Sequence, residues 1–400
     1  MRRALFALVF SGAACGSSNH ASDPPTDGSM QTGDGSGSGS GSGACPRSLG
    51  AEDRTRYLVV SHPYTTTGAK STKFEVLSVS PTGAITRGKQ FDMNRTSFGS
   101  IAFTPDGKVG IAVSSDSYTL GVFTLSDDGT PTVIDGAWGR QYFTPERVVI
   151  DPSGSIAYVL DSNTRGTNKG GIHAVQINCD GSLSYIGMIA EASTPRQMLI
   201  DGDRAFIAAT TALDAPAGSD IEMLKLAGSG ALTVMAGVDA FGDDDAIFGG
   251  MAITADKSAI LIGDTSAGGQ NRVATVKVTA TAMTANNILP LPDPEAIETS
   301  PFDNTAIVTT ADGDRISILE IVADGSWDVR GTLGSPQQPG DTVQVKRGAL
   351  NGTVFISELS GIRTVTFGQA GAVTDKGLTD LTNGDDNDLV DLPGAIGITP

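Results

Sequence analysis

Seven times, roughly every 44 to 53 residues, an apolar strand runs into the same turn and then into another short strand. The copies are residues 80–86 (SPTGAIT), 127–130 (DDGT), 178–184 (NCDGSLS), 228–233 (GSGALT), 279–284 (TATAMT), 324–327 (DGSW) and 369–374 (QAGAVT). A period of that size, built from strands alone, is the signature of propeller blades. The 51 glycines and the 6% aromatic content suit a chain made largely of turns rather than one thick core.

Each unit reads as four strands, A to D. Strand A is expected to begin at Ser100, Arg147, Gln197, Gly250, Ala296, Thr342 and Ala395. Turns such as 104–107 (TPDG) and 151–154 (DPSG) supply the fixed and positive φ values that a tight reversal needs. Strand C is the most regular. Leu77, Phe123, Val175, Leu224, Val276, Leu319 and Val365 are apolar, and the residues after them, Ser78, Thr124, Gln176, Lys225, Lys277, Glu320 and Thr366, are polar. The next are apolar again: Val79, Leu125, Ile177, Leu226, Val278, Ile321 and Phe367. Period-two alternation marks half-buried antiparallel strands. Residues 395–400 (AIGITP) look like a strand A with nothing after it, while 56–61 (RYLVVS) and 74–77 (FEVL) look like B and C with no A before them. Joined, they make one composite blade and remove the sheet edge between the first and last units. The expectation is an all-β, seven-bladed propeller of four-stranded blades over residues 50–400, with the C-terminal strand completing the N-terminal blade.

The first fifteen residues (MRRALFALVFSGAAC) read as an export signal, basic and then apolar over too short a run to span a bilayer. Residues 11–15 (SGAAC) resemble a lipoprotein signal, with Cys15 as the lipidated residue; an ordinary cleaved secretory peptide is the alternative. Residues 16–49 are rich in Gly and Ser and read as a flexible tether. The expected setting is the bacterial cell envelope, at the outer membrane or cell surface, with membrane contact through the lipid only. Setting Cys15 aside leaves Cys45 and Cys179, an even pair suited to a disulfide in an oxidising compartment. The formal charge of −18 argues against nucleic acid or an anionic membrane surface as partner. A monomeric domain that binds a small molecule or an envelope protein is expected.

Only three histidines are present, His20, His62 and His173, and no Ser-His-Asp set can be assigned. His173 occupies a strand C position that holds Glu75, Gly121, Glu222, Ala274, Ser317 and Arg363 in the other units, which marks it as a packing residue. No cofactor is expected. Two acidic runs, Asp243, Asp244, Asp245 and Asp385, Asp386, Asp388, could offer oxygen ligands to Ca²⁺, but neither has a calcium-loop spacing, and solvated loops are the plainer reading. The B–C and D–A loops open on one rim and are the long ones, where binding is usually placed. They bring Arg95, Trp138, Arg140, Tyr142, Arg165, Arg196 and Arg272 toward one mouth, together with His62. Arginines in an acidic chain suit an anionic ligand, with ordinary surface ion pairs as the alternative.

Residues 151–163 (DPSGSIAYVLDSN) and 171–183 (GIHAVQINCDGSL), with 104–107 and 122–125 (VFTL), resemble the lactonase-type (YVTN) seven-bladed propellers. The resemblance implies the same fold. That family contains 6-phosphogluconolactonases and many exported propellers with no established activity. Pro195 and Arg196 match a Pro-Arg-His step of the family on the ligand-side rim; Gln197 stands where the family has histidine. The reading is therefore a ligand- or protein-binding scaffold module of the envelope. The alternative is a lactonase-like hydrolase of an extracellular lactone or sugar acid, with Arg196 and Arg140 holding an anionic group. Arg196, His62 and an acid meeting in space would favour the enzyme.

Overall fold

Turn residues interrupt the alternating segments so regularly that every repeat closes as its own four-stranded antiparallel sheet, seven in all. The computed structural model describes Cys45 and residues 47–400, apart from 66–68, 98, 115–117, 135–137, 140–142, 164–169, 193, 210–218, 243–245, 266–270, 311–313, 322–325, 335 and 382–393. Strand A of blades 2 to 7 is Ile101–Phe103, Pro145–Ile150, Gln197–Asp201, Phe248–Ile253, Pro294–Thr299 and Thr342–Val345. Blade 1 takes its strand A from the other end of the chain, Ile396–Ile398, beside strand B, Arg56–Tyr64. The pairs Leu58↔Ile398, Val59↔Gly397 and Val60↔Ile396 close the ring as the sequence predicts. The A strands of successive blades touch one another all the way round.

Alternation along each strand feeds two interfaces at once. Leu58 and Val60 pack with Phe355 and Ile362 of blade 7, whereas Val59 between them packs with Ile101 and Phe123 of blade 2. Burying one such side chain stabilises the fold by about 1.5–3 kcal/mol, so each blade is held from both faces. The outer strands are treated differently. In six blades the C–D ladder slips at the same level, for example between Ala174 and Val175 or between Thr364 and Val365. These bulges put one extra residue on strand D and bend the exposed edge of each sheet.

Cys45 and Cys179 form a disulfide, with Cα atoms 5.4 Å apart. Cys179 lies in the turn between strands C and D of blade 3, Gly171–Ile177 and Leu183–Glu191, on the rim opposite the long loops.

Candidate functional site

The ladder registers place one residue of each strand A segment at a common height near the long-loop end of the central channel. These are Ala395, Ser100, Arg147, Gln197, Gly250, Ala296 and Asp341, in blades 1 to 7. Four are small and leave space facing Arg147. In blade 7 the equivalent residue is Asp341 rather than Thr342, because Thr342 pairs with Ile356 and the amide of Ser357 donates to the Asp341 carbonyl. Two residues deeper, roughly 6–7 Å along the strand, the ring is Gly397, Ala102, Val149, Leu199, Ala252, Glu298 and Val343. Glu298 is the one charged residue at that depth.

Arg147 of blade 3 thus faces Glu298 and Asp341 of blades 6 and 7 across the channel. All three are half-buried, open to the channel but ringed by protein. Burial raises the Asp341 carboxyl above the ordinary range, against the pull of Arg147 and of the Ile396 amide, which donates to Oδ2 at 3.3 Å. Burial likewise raises Glu298, and the charge of Asp341 adds to the rise. Lys346, Arg147 and the Thr342 hydroxyl, which donates to Oε1 at 3.1 Å, oppose it. Among the described residues Arg147 forms no ion pair, so its guanidinium keeps capacity for a ligand. A cation facing two carboxyls of raised pKa is an arrangement suited to polarising a carbonyl and moving protons beside it.

Arg196 stands one residue before this ring. Its Nη1 lies 3.4 Å from Glu146 Oε2, and Glu146 Oε1 accepts the Ser162 hydroxyl at 2.7 Å. Arg196 therefore meets an acid, but not His62. His62 lies near the end of strand B of blade 1 with a side chain only 4% exposed, 3.4 Å from Glu75 Oε2. Arg87 grips the same carboxylate with two hydrogen bonds of 2.7 and 2.8 Å. Burial would raise the Glu75 carboxyl, but the nearby His62 and the Arg87 guanidinium outweigh it and hold it low.

The same three positions, across strands B, C and D, carry polar rows in two other blades. In blade 3, His173 contacts Tyr185 Oη through Nδ1 at 3.1 Å and Asp161 Oδ2 through Nε2 at 3.3 Å. In blade 7, Arg363 joins Glu358 to Asp375, with 2.7 Å from Nη1 to Asp375 Oδ2. These rows run sideways across strands B, C and D within each blade. Trp138 stacks on Tyr185 with ring centroids 4.9 Å apart and meets Phe143 edge-on. Arg272 is buried, donating from Nε to Asp264 Oδ2 at 3.0 Å with its guanidinium over the Phe241 ring. Arg95 donates to the Leu120 carbonyl at 2.7 Å.

Arg140, Tyr142, Arg165, Cys15 and both acidic runs, Asp243, Asp244, Asp245 and Asp385, Asp386, Asp388, lie outside the described residues. Among the described residues no group of three or more His, Cys, Asp or Glu is placed to hold a metal ion. A cleft of about 360 Å³ lies on the opposite rim, walled by Arg54, Tyr57, Asp106, Lys108 and Asp127, and shares no residue with the channel set. The channel trio does not stand out on a first reading of the sequence. Glu298 could have been found as a charged outlier at a repeat position that is apolar or glycine in the other six blades. Asp341 was hidden by the one-residue offset of blade 7.

No protein-family model matches the chain, and no curated protein matches it. Many solved structures share its fold. The periplasmic gluconolactonase PpgL of Pseudomonas aeruginosa is 12% identical with a TM-score of 0.64, covering 86% of this chain and 99% of that one. A Bacteroides fragilis protein described only provisionally as a 6-phosphogluconolactonase is 14% identical with a TM-score of 0.63, covering 88% of this chain and 99% of that one. A Lactobacillus plantarum protein is 11% identical with a TM-score of 0.64, covering 86% and 100%. The fold is thus a seven-bladed propeller of the shape that gluconolactonase-like proteins share. At these identities the likeness is one of fold.

Proposed function

We propose that this chain hydrolyses a lactone in the upper part of its central channel. The observation that carries the reading is Arg147 facing Asp341 and Glu298, two carboxyls raised by burial, across a ring of small residues. The fold neighbours, among them a gluconolactonase, support a hydrolase more than a scaffold. In the proposed reaction the lactone carbonyl oxygen points at Arg147, which stabilises the oxyanion as water attacks the acyl carbon. The ionised member of the carboxyl pair takes a proton from that water, and the protonated member returns one to the ring oxygen as the acyl C–O bond breaks. Gln197 neighbours Arg147 on the ring and offers a hydrogen bond where the resembled family has an ionisable histidine, so the proton work falls to the carboxyls.

The test is pH-stat hydrolysis of a panel of glucono-1,5-lactone, γ-lactones and unsubstituted δ-lactones by wild type and Asp341→Asn. The expected result is turnover above the buffer rate, lowered about 10²–10⁴-fold by the substitution. Binding of a lactone without turnover would return the chain to the binding modules. The proposed setting is the cell envelope, with Cys15 lipidated. The Cys45–Cys179 bond fits an oxidising compartment, and loss of membrane association in Cys15→Ser would test the anchor.

A further inference from the structure

Cys45 and residues 47 to 56 lie across the rim opposite the channel mouth and touch four consecutive blades. At one end Cys45 is bonded to Cys179 of blade 3. Arg47 then donates to the Asn178 carbonyl of blade 3 at 2.9 Å and to Asp106 Oδ2 in the A–B turn of blade 2 at 3.3 Å. Arg54 joins the Asp106 carbonyl of blade 2 to the Pro400 carbonyl of blade 1, both at 3.1 Å. Arg56 joins the Thr399 carbonyl of blade 1 to the Arg347 carbonyl of blade 7, both at 3.2 Å. Gly348 of blade 7 passes so close to this segment that a Cβ there would stand 2.6 Å from the Glu52 carbonyl oxygen.

The segment therefore bridges the seam that the composite blade must close. At that seam strand A of blade 1 pairs three residues with strand B, extended at each end by backbone bonds from Ser61 to Ala395 and from Thr399 to Tyr57. Apart from Asp106 Oδ2 and the Pro400 oxygen, the partners named here are neutral backbone carbonyls. Such bonds exchange against water for a modest net gain, and ordering the segment opposes them. Like charges crowd its far end, where burial and then Arg347 and Arg54 lower the Arg56 guanidinium to about 10. The one covalent tie on the segment is the bond at Cys45, whose sequence separation from Cys179 is 134 residues.

We infer that the Cys45–Cys179 disulfide makes this segment a redox-dependent second clasp on the ring, so that a dithiol reductant loosens the seam between blades 7 and 1. The reductant gives up two electrons and two protons and becomes a disulfide, leaving Cys45 and Cys179 as thiols.

The test is hydrogen exchange on the full chain, folded and oxidised, before and after dithiothreitol. Exchange after reduction is expected to rise at least about tenfold in residues 47–56 and in Ile396–Ile398, while Ala259–Asp264 of blade 5 stays unchanged. Cys45→Ser, kept without reductant, should match the reduced protein. Unchanged exchange in Ile396–Ile398 after full reduction, verified by thiol titration, would overturn the inference even if residues 47–56 were released. Because reduction acts on the protein already folded, a variant that fails to fold leaves the test intact.

Discussion

Asp341 and Glu298 work against the stability of the propeller that holds them. Burial raises both carboxyls, so the folded state prefers them protonated and ionisation weakens it. The stability they allow is fully present below the unfolded carboxylate value, about pH 4, and is lost as pH rises through the raised value. Asp341→Asn should therefore raise the melting temperature at pH 7.5, by about 2–4 °C for each kcal/mol recovered, with the gain vanishing by about pH 4. Loss of activity with gain of stability is the expected mark of a working residue. A melting temperature that falls at pH 7.5 would contradict it. Glu75 has the opposite sign, since Arg87 and His62 hold its carboxyl low, and its contribution is lost as pH falls. Arg363, pinned between Glu358 and Asp375, belongs to the structure rather than to the site. Arg363→Ala should cost about 3–5 kcal/mol in urea unfolding by stranding the buried Glu358 carboxylate. Lys73→Ala, at the exposed Lys73–Asp92 pair, should cost under about 1 kcal/mol.

Among the elements, the A strands show how closely the channel wall is drawn in. A Cβ at Gly250 would stand 2.3 Å from the Ile297 backbone nitrogen of the next blade, so only glycine allows blades 5 and 6 to meet there. Gly250→Ala should destabilise by about 1–3 kcal/mol in thermal or urea unfolding and disturb the Glu298 side of the channel. Wild-type stability would mean the two strands can part without cost. This level also marks where the sequence became hard to read. Strand C could be aligned seven times because its period-two pattern has no exceptions. Strand A is short, and its channel residues answer to the open axis rather than to a packed neighbour, so Asp341 slipped out of line with Arg147. In the sequence His62 looked like any rim residue and His173 like a packing residue of strand C. Only the ladders show them joined sideways to Glu75 and to Asp161 with Tyr185. Arg272 was read as a candidate for the mouth, yet Asp264 and Phe241 claim its guanidinium.

For the whole molecule, ring closure was legible from the two chain ends because an A without a B and a B without an A have one economical solution. Deleting residues 395–400 should lower the melting temperature by several degrees and expose strand Arg56–Tyr64 to exchange; an unchanged melting temperature would contradict closure by this strand. The disulfide was legible by cysteine count, whereas the arginine ties beside it were not, since most of their partners are backbone oxygens that no sequence pattern reports. The site itself depends on the closed ring: Arg147 faces Asp341 and Glu298 only because blades 3, 6 and 7 share one axis. The most direct test is steady-state lactone hydrolysis by Arg147→Met beside Arg196→Met, with both folds checked by circular dichroism. Arg147→Met should lose about 10²–10³-fold in kcat and Arg196→Met less than about tenfold. Full activity in Arg147→Met, or the reverse ranking, would move the chemistry out of the channel and contradict the account.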